Sequence, residues 1–283
     1  MKKIEQSSLF LAEHIHLFQC PVCQQPFIET KQQGILCQKG HQFDLAKKGT
    51  LHLLQKGGQN EYDKAMLTSR KQLADTGFFH PLLDEILTIV GSKERTAVLD
   101  VGCGEGSHLH YLNEQGLGGE KIGFDISKDA IQLAANHYFE DAFWCVADLA
   151  HSPFSKEQFD LILNIFSPSH YQEFERLLKQ GGQVVKVVPD SDYLMELRQQ
   201  LYANEEKQAY ENKEVVNRFK EIYPDGSHHH VRYEVPLTPE SYGWLLEMTP
   251  LSWGADEAVL AKASQAPLAS ITVAVSILVG TKK

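Results

Sequence analysis

Three cysteines and one histidine near the start of the chain have the types and spacing of metal ligands. Cys20, Cys23, Cys37 and His41 form the pattern C-x2-C-x13-C-x3-H. Zn²⁺ prefers a tetrahedral set of thiolate and imidazole ligands. Because protein side chains fill all four positions, the pattern predicts a structural Zn²⁺ with no open position for catalysis. The alternatives are a metal-free cluster of small buried residues and a redox C-x-x-C pair, which belongs at the start of a helix.

A glycine-rich stretch, "VLDVGCGEGSHL", has the pattern of a buried strand that runs through a tight loop into a helix. Gly102, Gly104 and Gly106 let the backbone approach a ligand closely, and the helix start offers free N–H groups to an anion. A dinucleotide-binding loop would have a third glycine where Ser107 stands. The spacing resembles the first motif of class I S-adenosylmethionine-dependent methyltransferases, with Asp100 as the acidic residue before the glycines.

Two further acidic residues close the strands that follow. Asp125 ends the strand in "IGFDIS", where a carboxylate can accept both hydroxyl groups of a ribose. Asp148 ends the next strand, at the usual place for a contact to the adenine. As an alternative, each acid, Asp100 included, would be the N-cap of the helix that follows it. The pattern favours a cofactor site for S-adenosylmethionine.

Apolar runs alternate with amphipathic helical periods from residue 96 to residue 189, which is typical of a doubly wound parallel sheet. We therefore expect an α/β chain with a class I Rossmann-like methyltransferase fold, built on a mostly parallel seven-stranded sheet, behind a small Cys3His zinc-binding domain. The predicted boundaries are a zinc-binding RNA-recognition domain at 1–56, a helical linker at 57–95 and a methyltransferase domain at 96–283. The "HHH" run at 228–230 is interpreted as a polar loop and not as a catalytic set.

Charge is distributed unevenly along the chain. The net charge is −10, yet the segment from Cys20 to His80 carries eight Lys or Arg against five Asp or Glu. Basic residues with aromatic neighbours suit RNA phosphates and unstacked bases, and an alternative is a solvated lysine face over a core that contains the aromatic rings. The residues concerned are Lys31, Lys39, Lys47, Lys48, Phe27 and Phe43. The longest apolar run, "ITVAVSILVG", is too short to span a bilayer, so no membrane partner and a cytoplasmic location are expected.

Taken together, the motifs resemble the family of 23S ribosomal RNA guanine-N1 methyltransferases. The resemblance runs from Cys20 to Trp253 and includes "HQFDLAKKG", "RKQLADTGFFHPL", "VLDVGCGEG" and "LLEMTPLSW" in that order. It implies Zn²⁺ bound by the Cys3His set. It also implies cofactor contacts from the glycine loop, from Leu109 and His110 behind it, and from Phe79 ahead of the first strand, where family members can have Tyr.

The resemblance implies a substrate as well: a guanine in a hairpin loop of domain II of 23S rRNA, at position 748 in preference to 745, with an effect on antibiotic resistance. N1 of neutral guanine carries a proton that must leave before or during attack on the methyl group. Asp148, Asn164 and His170 lie near the expected mouth of the sheet, but no spacing selects a general base. The sequence also leaves open whether the chain acts as a monomer or a homodimer.

Two other functions remain open at this level. One is a class I methyltransferase of a small metabolite, with the zinc domain as a lid. The other is a non-catalytic zinc RNA-binding protein whose Rossmann-like domain is degenerate, although the intact glycines and Asp125 speak against it. The absence of an Asn/Asp-Pro-Pro-aromatic motif, replaced here by "NIFSPSH", disfavours an exocyclic amine as the acceptor.

Overall fold

The computed structural model describes residues 1–31, 33–54, 63–91, 94–202 and 211–283. Its α-helices are α1 (Lys3–His14), α2 (Lys64–Asp75), α3 (His80–Val90), α4 (Ser107–Glu114), α5 (Lys128–His137), α6 (Tyr171–Leu177), α7 (Met195–Leu201), α8 (Lys213–Ile222), α9 (Pro239–Met248) and α10 (Glu257–Gln265). Short 3₁₀ helices are found at Ile15–Leu17, Leu149–His151 and Pro250–Gly254.

The strands belong to two sheets. They are β1 (Phe27–Lys31), β2 (Gly34–Cys37), β3 (Gln42–Asp44), β4 (Leu51–His52), β5 (Ala97–Val101), β6 (Glu120–Asp125), β7 (Phe143–Val146), β8 (Phe159–Ile165), β9 (Leu178–Pro189), β10 (Ser227–Pro236) and β11 (Ser270–Thr281). Strands β1 to β3 form a small antiparallel sheet, and the other strands of the described chain form a large sheet in the order β10-β11-β9-β8-β5-β6-β7-β4.

The large sheet has the predicted mostly parallel α/β architecture. Strands β9, β8, β5, β6, β7 and β4 run parallel to one another, whereas β11 is antiparallel to both of its neighbours, β9 and β10. Seven of these strands make up the predicted sheet, and β4, from the N-terminal segment, extends its edge by pairing with β7. All five residues of β5 are buried, as expected for a central strand covered on both faces.

Two hydrophobic clusters lie on the two faces of the sheet. Because successive strand residues point to opposite faces, Val98 belongs to one cluster, and its neighbours Ala97 and Leu99 belong to the other. The first cluster includes α3, and the second includes apolar side chains of the N-terminal residues up to Leu54, which we call the zinc-binding segment. The N-terminal segment is therefore packed against the sheet, while the predicted domain boundary at 56/57 lies outside the described residues.

Some local predictions were wrong. The "HHH" run lies inside β10 and not in a loop. In this strand, His228 contacts the side chain of Ser276, and His230 contacts that of Asp190. The helical period of "YQEFERLLKQ" predicts a helix over residues 171–180, but α6 ends at Leu177 and the last three of these residues already belong to β9. None of the helices in the described part of the chain combines the length and the apolar character needed to cross a bilayer.

Candidate active site and metal centre

The glycine loop between β5 and α4 is held against the next strand. The backbone N–H groups of Gly102 and Cys103 both donate to the carbonyl of Phe124, at 2.9 and 3.0 Å. Gly102 has φ of +70°, and a Cβ built on it would lie 2.2 Å from Oγ of Ser167. A side chain is therefore excluded at this point, and the bare backbone of the loop faces the neighbouring cavity.

Asp125 fixes the loop from the end of β6. Its carboxylate accepts N–H groups from Gly104 at 3.0 Å and from Ser127 at 2.8 Å. Burial raises the pKa of Asp125, and the two N–H donors oppose that rise by stabilising the charged form. Ser127 caps α5 with its own side chain, so Asp125 is not the N-cap that the alternative interpretation would make it.

A cavity of about 540 Å³ opens at the carboxyl ends of β5, β6, β7 and β8. Its walls combine the glycine loop and two acids with apolar side chains, and α2 covers one side with Met66, Leu67 and Arg70. Asp148 lies in this wall and also caps the 3₁₀ helix behind it by accepting the N–H of Ala150 at 2.9 Å. The remaining lining residues are Val101, Gly102, Gly104, Phe124, Asp125, Ile126, Ser127, Ala130, Ala147, Leu149, Ile165, Phe166, Ser167 and Pro168.

Charged groups are concentrated beneath the loop. Asp100 is buried, and this burial raises its pKa to about 7, with Asp125 and Glu105 acting in the same direction and Arg70 against them. Nε of Arg70 lies 3.1 Å from the carboxylate of Glu105, which also accepts the hydroxyl of Ser107. Sequence motifs did not single out Arg70, because it reaches the loop from α2, more than thirty residues away along the chain.

A second cavity, of about 620 Å³, lies directly beside the first. The two share five wall residues, namely Met66, Arg70, Phe166, Ser167 and Pro168. Apolar and aromatic side chains line most of the second cavity, and Lys186 is also among its lining residues. Two ligands bound side by side would therefore both contact these five residues, which we call the shared wall.

Backbone strain is found in this shared wall. Phe166, just beyond the end of β8, has φ of +55° although it is not a glycine. An aromatic residue in the left-handed region costs on the order of 1–3 kcal/mol, and such residues cluster at binding and catalytic sites. Because packing around Phe166 must hold this unfavourable conformation in place, the strain supports a functional role for the shared wall.

The structure does not bring every predicted residue to the first cavity. Gly106, with φ of +89°, packs against Trp144 at the start of α4. Leu109 is fully buried in the core, and His110 contacts Asp141 with Nδ1 at 2.7 Å. Phe79 is buried and lines the second cavity, where its ring lies 6.1 Å from that of Phe166. None of these four residues lines the first cavity, so its ligand contacts must come from the other residues in its wall.

These walls fit a nucleoside with an amino-acid tail. The carboxylates of Asp125 and Asp148 can accept hydroxyl and amine protons, and the apolar side chains can enclose a base. Arg70, which also pairs with Glu105, lines the cavity and can offer its positive charge to the carboxylate of a zwitterionic tail. Gly102 and Gly104 leave room for close approach of the ligand.

The Cys3His set converges to the dimensions of a tetrahedral metal site. Cys23 and Cys37 have their sulfurs 3.7 Å apart, and Nδ1 of His41 lies 3.5 Å from the sulfur of Cys20 and 3.3 Å from that of Cys37. With Zn–S of about 2.3 Å and Zn–N of about 2.0 Å, tetrahedral edges measure about 3.8 Å between sulfurs and about 3.5 Å between sulfur and nitrogen. The four ligand atoms fit Zn²⁺ and leave no position for a substrate.

The zinc-binding segment keeps its basic residues exposed and its aromatic residues mostly covered. Lys39, Lys47 and Lys48 are exposed. Phe27 is buried and packs edge-to-face on the half-buried Phe43, with ring centres 5.8 Å apart. Phe27 is thus part of the small core, as the alternative interpretation had it, and the lysines remain available to an anionic partner.

Comparisons with known proteins agree with both parts of the site. A family model described as a methyltransferase domain matches residues 92–247, and one described as RlmA, N-terminal, matches residues 18–56. A Bacillus subtilis protein provisionally named a 23S rRNA (guanine-N(1)-)-methyltransferase is 40% identical over 94% of this chain and 97% of its own length. A 23S rRNA (guanine(748)-N(1))-methyltransferase of Streptomyces fradiae is 28% identical over 88% of this chain and 90% of its own.

Proposed function

Because the chain belongs to the family of 23S rRNA guanine-N1 methyltransferases, we propose that it methylates N1 of guanine 748 in a hairpin loop of domain II of that RNA. The chain is an S-adenosylmethionine-dependent RNA methyltransferase with a structural zinc site. Position 748 is favoured over 745 by the similarity to the Streptomyces fradiae enzyme, which carries that position in its name.

The observation that carries this proposal is the shared wall of the two cavities. The first cavity holds the predicted nucleoside-binding acids, and the second is large enough for a nucleobase. S-adenosylmethionine supplies an electrophilic methyl group when it is bound. The protein contributes by holding guanine N1 in line with that methyl group at the wall formed by Phe166, Ser167 and Pro168.

Loop bases are suited to this arrangement. A base in a hairpin loop is already unpaired or weakly stacked, so moving it into a pocket costs little. In this proposal, the exposed lysines of the zinc-binding segment bind the phosphates of the surrounding RNA backbone.

The proposal is tested with a synthetic hairpin of domain II and full-length protein. Four RNAs are compared: the natural sequence, one with guanine 748 replaced by adenine, one with guanine 745 replaced, and one with both replaced. We expect methyl incorporation into the first and third RNAs only, with a primer-extension stop at 748, because a methyl group on N1 blocks base pairing. Incorporation that persists in the 748 variant, or the lack of a stop, would contradict the proposed position.

A further inference from the structure

A buried lysine lies in the second cavity without a matching carboxylate. Lys186 belongs to β9, is 4% exposed and is one of the residues that line the cavity. No carboxylate among the described residues forms an ion pair with it. Burial lowers its pKa to about 8. A buried cation is costly unless something compensates it, so such a group in a cleft is a candidate for function.

Two hydrogen bonds hold the amine beside the shared wall. Nζ of Lys186 donates to Oδ1 of Asn164 at 2.9 Å and to the carbonyl of Ser167 at 3.2 Å. Asn164 is itself fixed, because its Nδ2 donates to the carbonyl of Pro168 at 3.0 Å and its Oδ1 accepts the hydroxyl of Ser169 at 2.9 Å. The amine is thus anchored to the carbonyl of Ser167, a residue that lines both cavities.

The arrangement suits a proton acceptor. A neutral amine has two N–H bonds and one lone pair, and the two bonds are used by Asn164 and Ser167. The lone pair remains for a group in the cavity. With a pKa near the working pH, a useful fraction of the amine is neutral, as general-base catalysis requires.

We propose that Nζ of Lys186 removes the N1 proton of the target guanine, an inference that rests on the proposed function. The N1–H bond breaks as the Nζ–H bond forms, and the electron pair stays on the base, shared between N1 and O6. N1 then bonds to the methyl carbon while the carbon–sulfur bond breaks, and sulfur keeps that pair. The resulting ammonium donates to O6 and afterwards releases its proton to water.

Other titratable groups of the second cavity are poor substitutes for this role. Burial raises the pKa of Tyr193 to about 12 and also raises that of Tyr171, so both phenols remain protonated near neutral pH. Arg70 is a permanent cation, and Glu214 and Arg218 are exposed at the rim. Among the residues that line this cavity, Lys186 is therefore the one from which we expect an inflection near pH 8 in the rate of methyl transfer.

The test compares Lys186→Met with the wild type in single-turnover methylation of the natural hairpin at saturating cofactor, from pH 6 to pH 9.5. We expect a loss of about 10²- to 10⁴-fold in the rate and disappearance of the inflection near pH 8. Hairpin affinity and cofactor affinity should each stay within about 3-fold of the wild type. Lys179→Met, on the same strand but in a surface ion pair with Asp160, is the matched control and should keep the wild-type rate.

A second variant and a modified substrate keep the test independent of folding. Lys186→Arg retains the positive charge but cannot accept a proton, so it should be nearly as slow as Lys186→Met. A hairpin with 8-azaguanine at the target, which loses its N1 proton more readily, should restore much of the rate to both variants and change the wild type little. Wild-type-like rates in either variant, or failure of this rescue, would overturn the role of Lys186. Failure of the proposed function would instead appear as no N1 methylation by the wild type.

Discussion

Asp125 is the residue on which cofactor binding should depend most. Replacing it with Asn removes the charge that the N–H groups of Gly104 and Ser127 stabilise and weakens its acceptance of ribose hydroxyls. One charge-assisted hydrogen bond contributes about 1.5–3 kcal/mol, so we expect cofactor affinity to fall about 10- to 100-fold in calorimetric titration. Glu120→Gln, at the exposed start of the same strand, should bind as the wild type does. If Asp125→Asn binds the cofactor as tightly as the wild type does, Asp125 is not a cofactor-binding residue.

Asp100 should make the protein less stable as the pH rises. Its pKa is raised from 3.8 to about 7, so between these values the folded state binds a proton that the unfolded chain has released. Stability therefore decreases from about pH 4 to pH 7, by at most about 4 kcal/mol, and stays low above pH 7. Asp100→Asn should remove this loss, so that its melting temperature exceeds that of the wild type at pH 8 but not at pH 4.

Asp160 provides a control because its pKa is shifted in the direction opposite to that of Asp100. Burial would raise its pKa, but hydrogen bonds from Ala97, Lys179 and Thr96 outweigh burial and lower it. The carboxylate of Asp160 therefore stabilises the fold above pH 4, and this contribution is lost in acid. Asp160→Asn should be less stable than the wild type at pH 7, with a difference that shrinks towards pH 3. If both variants shift in the same direction at neutral pH, the assignment of the two carboxyl groups is incorrect.

At the residue level, the sequence allows a side chain to be placed where a motif ties it to the end of a strand. Asp125 and Asp148 both line one cavity because parallel strands end at the same edge of the sheet. Arg70 and Lys186 carry no such signal. Each reaches the site from a helix or strand whose local pattern reports only burial, and their role comes from a contact between distant segments.

Among the elements, the glycine loop offers a test of close approach. Gly102→Ala should place Cβ against the hydroxyl of Ser167, and it also forces alanine to φ of +70°. Gly116→Ala, with φ of +93° and no neighbouring atom within 4 Å, carries the backbone strain alone. We expect Gly116→Ala to lose about 1–2 kcal/mol of stability in denaturant unfolding, and Gly102→Ala to lose more because the clash with Ser167 adds to the strain. Only Gly102→Ala should lose most of its cofactor affinity, and the same affinity loss in both would show that strain, not space, matters.

The order of strands and helices in the sheet was readable because buried parallel strands are continuous apolar runs between helical periods. Two elements escaped this pattern for physical reasons. Strand β4 is only two residues long, so its pairing with β7 depends on where the zinc-binding segment docks. The "HHH" strand is polar because β10 is a sheet edge whose side chains are mostly half-buried or exposed.

At the scale of the whole molecule, the zinc-binding segment is joined to the sheet by contacts that the sequence did not reveal. Phe18 lies between Phe143 and Phe154, with ring centres 5.7 and 5.6 Å away. The N–H of Leu53 donates to the carbonyl of Val146 at 2.8 Å, two residues before Asp148. Zinc ligation and the cofactor cavity are thus separate sites connected through one edge strand.

This connection makes loss of zinc a test of how far the two sites are coupled. Cys37→Ser removes a ligand, so zinc content should fall and the small sheet should lose its order. Strand β7 still pairs with β6 on its other side, and the glycine loop does not contact the zinc-binding segment through any hydrogen bond of the described residues. We therefore expect hairpin methylation at limiting RNA to fall at least about 10-fold, with cofactor affinity changed by less than about 3-fold. Cys145→Ala, which alters the packing of β7 beside Leu51 without touching a ligand, should keep its zinc and its RNA affinity. Parallel loss of RNA methylation and cofactor affinity in Cys37→Ser would mean that the edge strand transmits the order of the zinc site to the cofactor cavity.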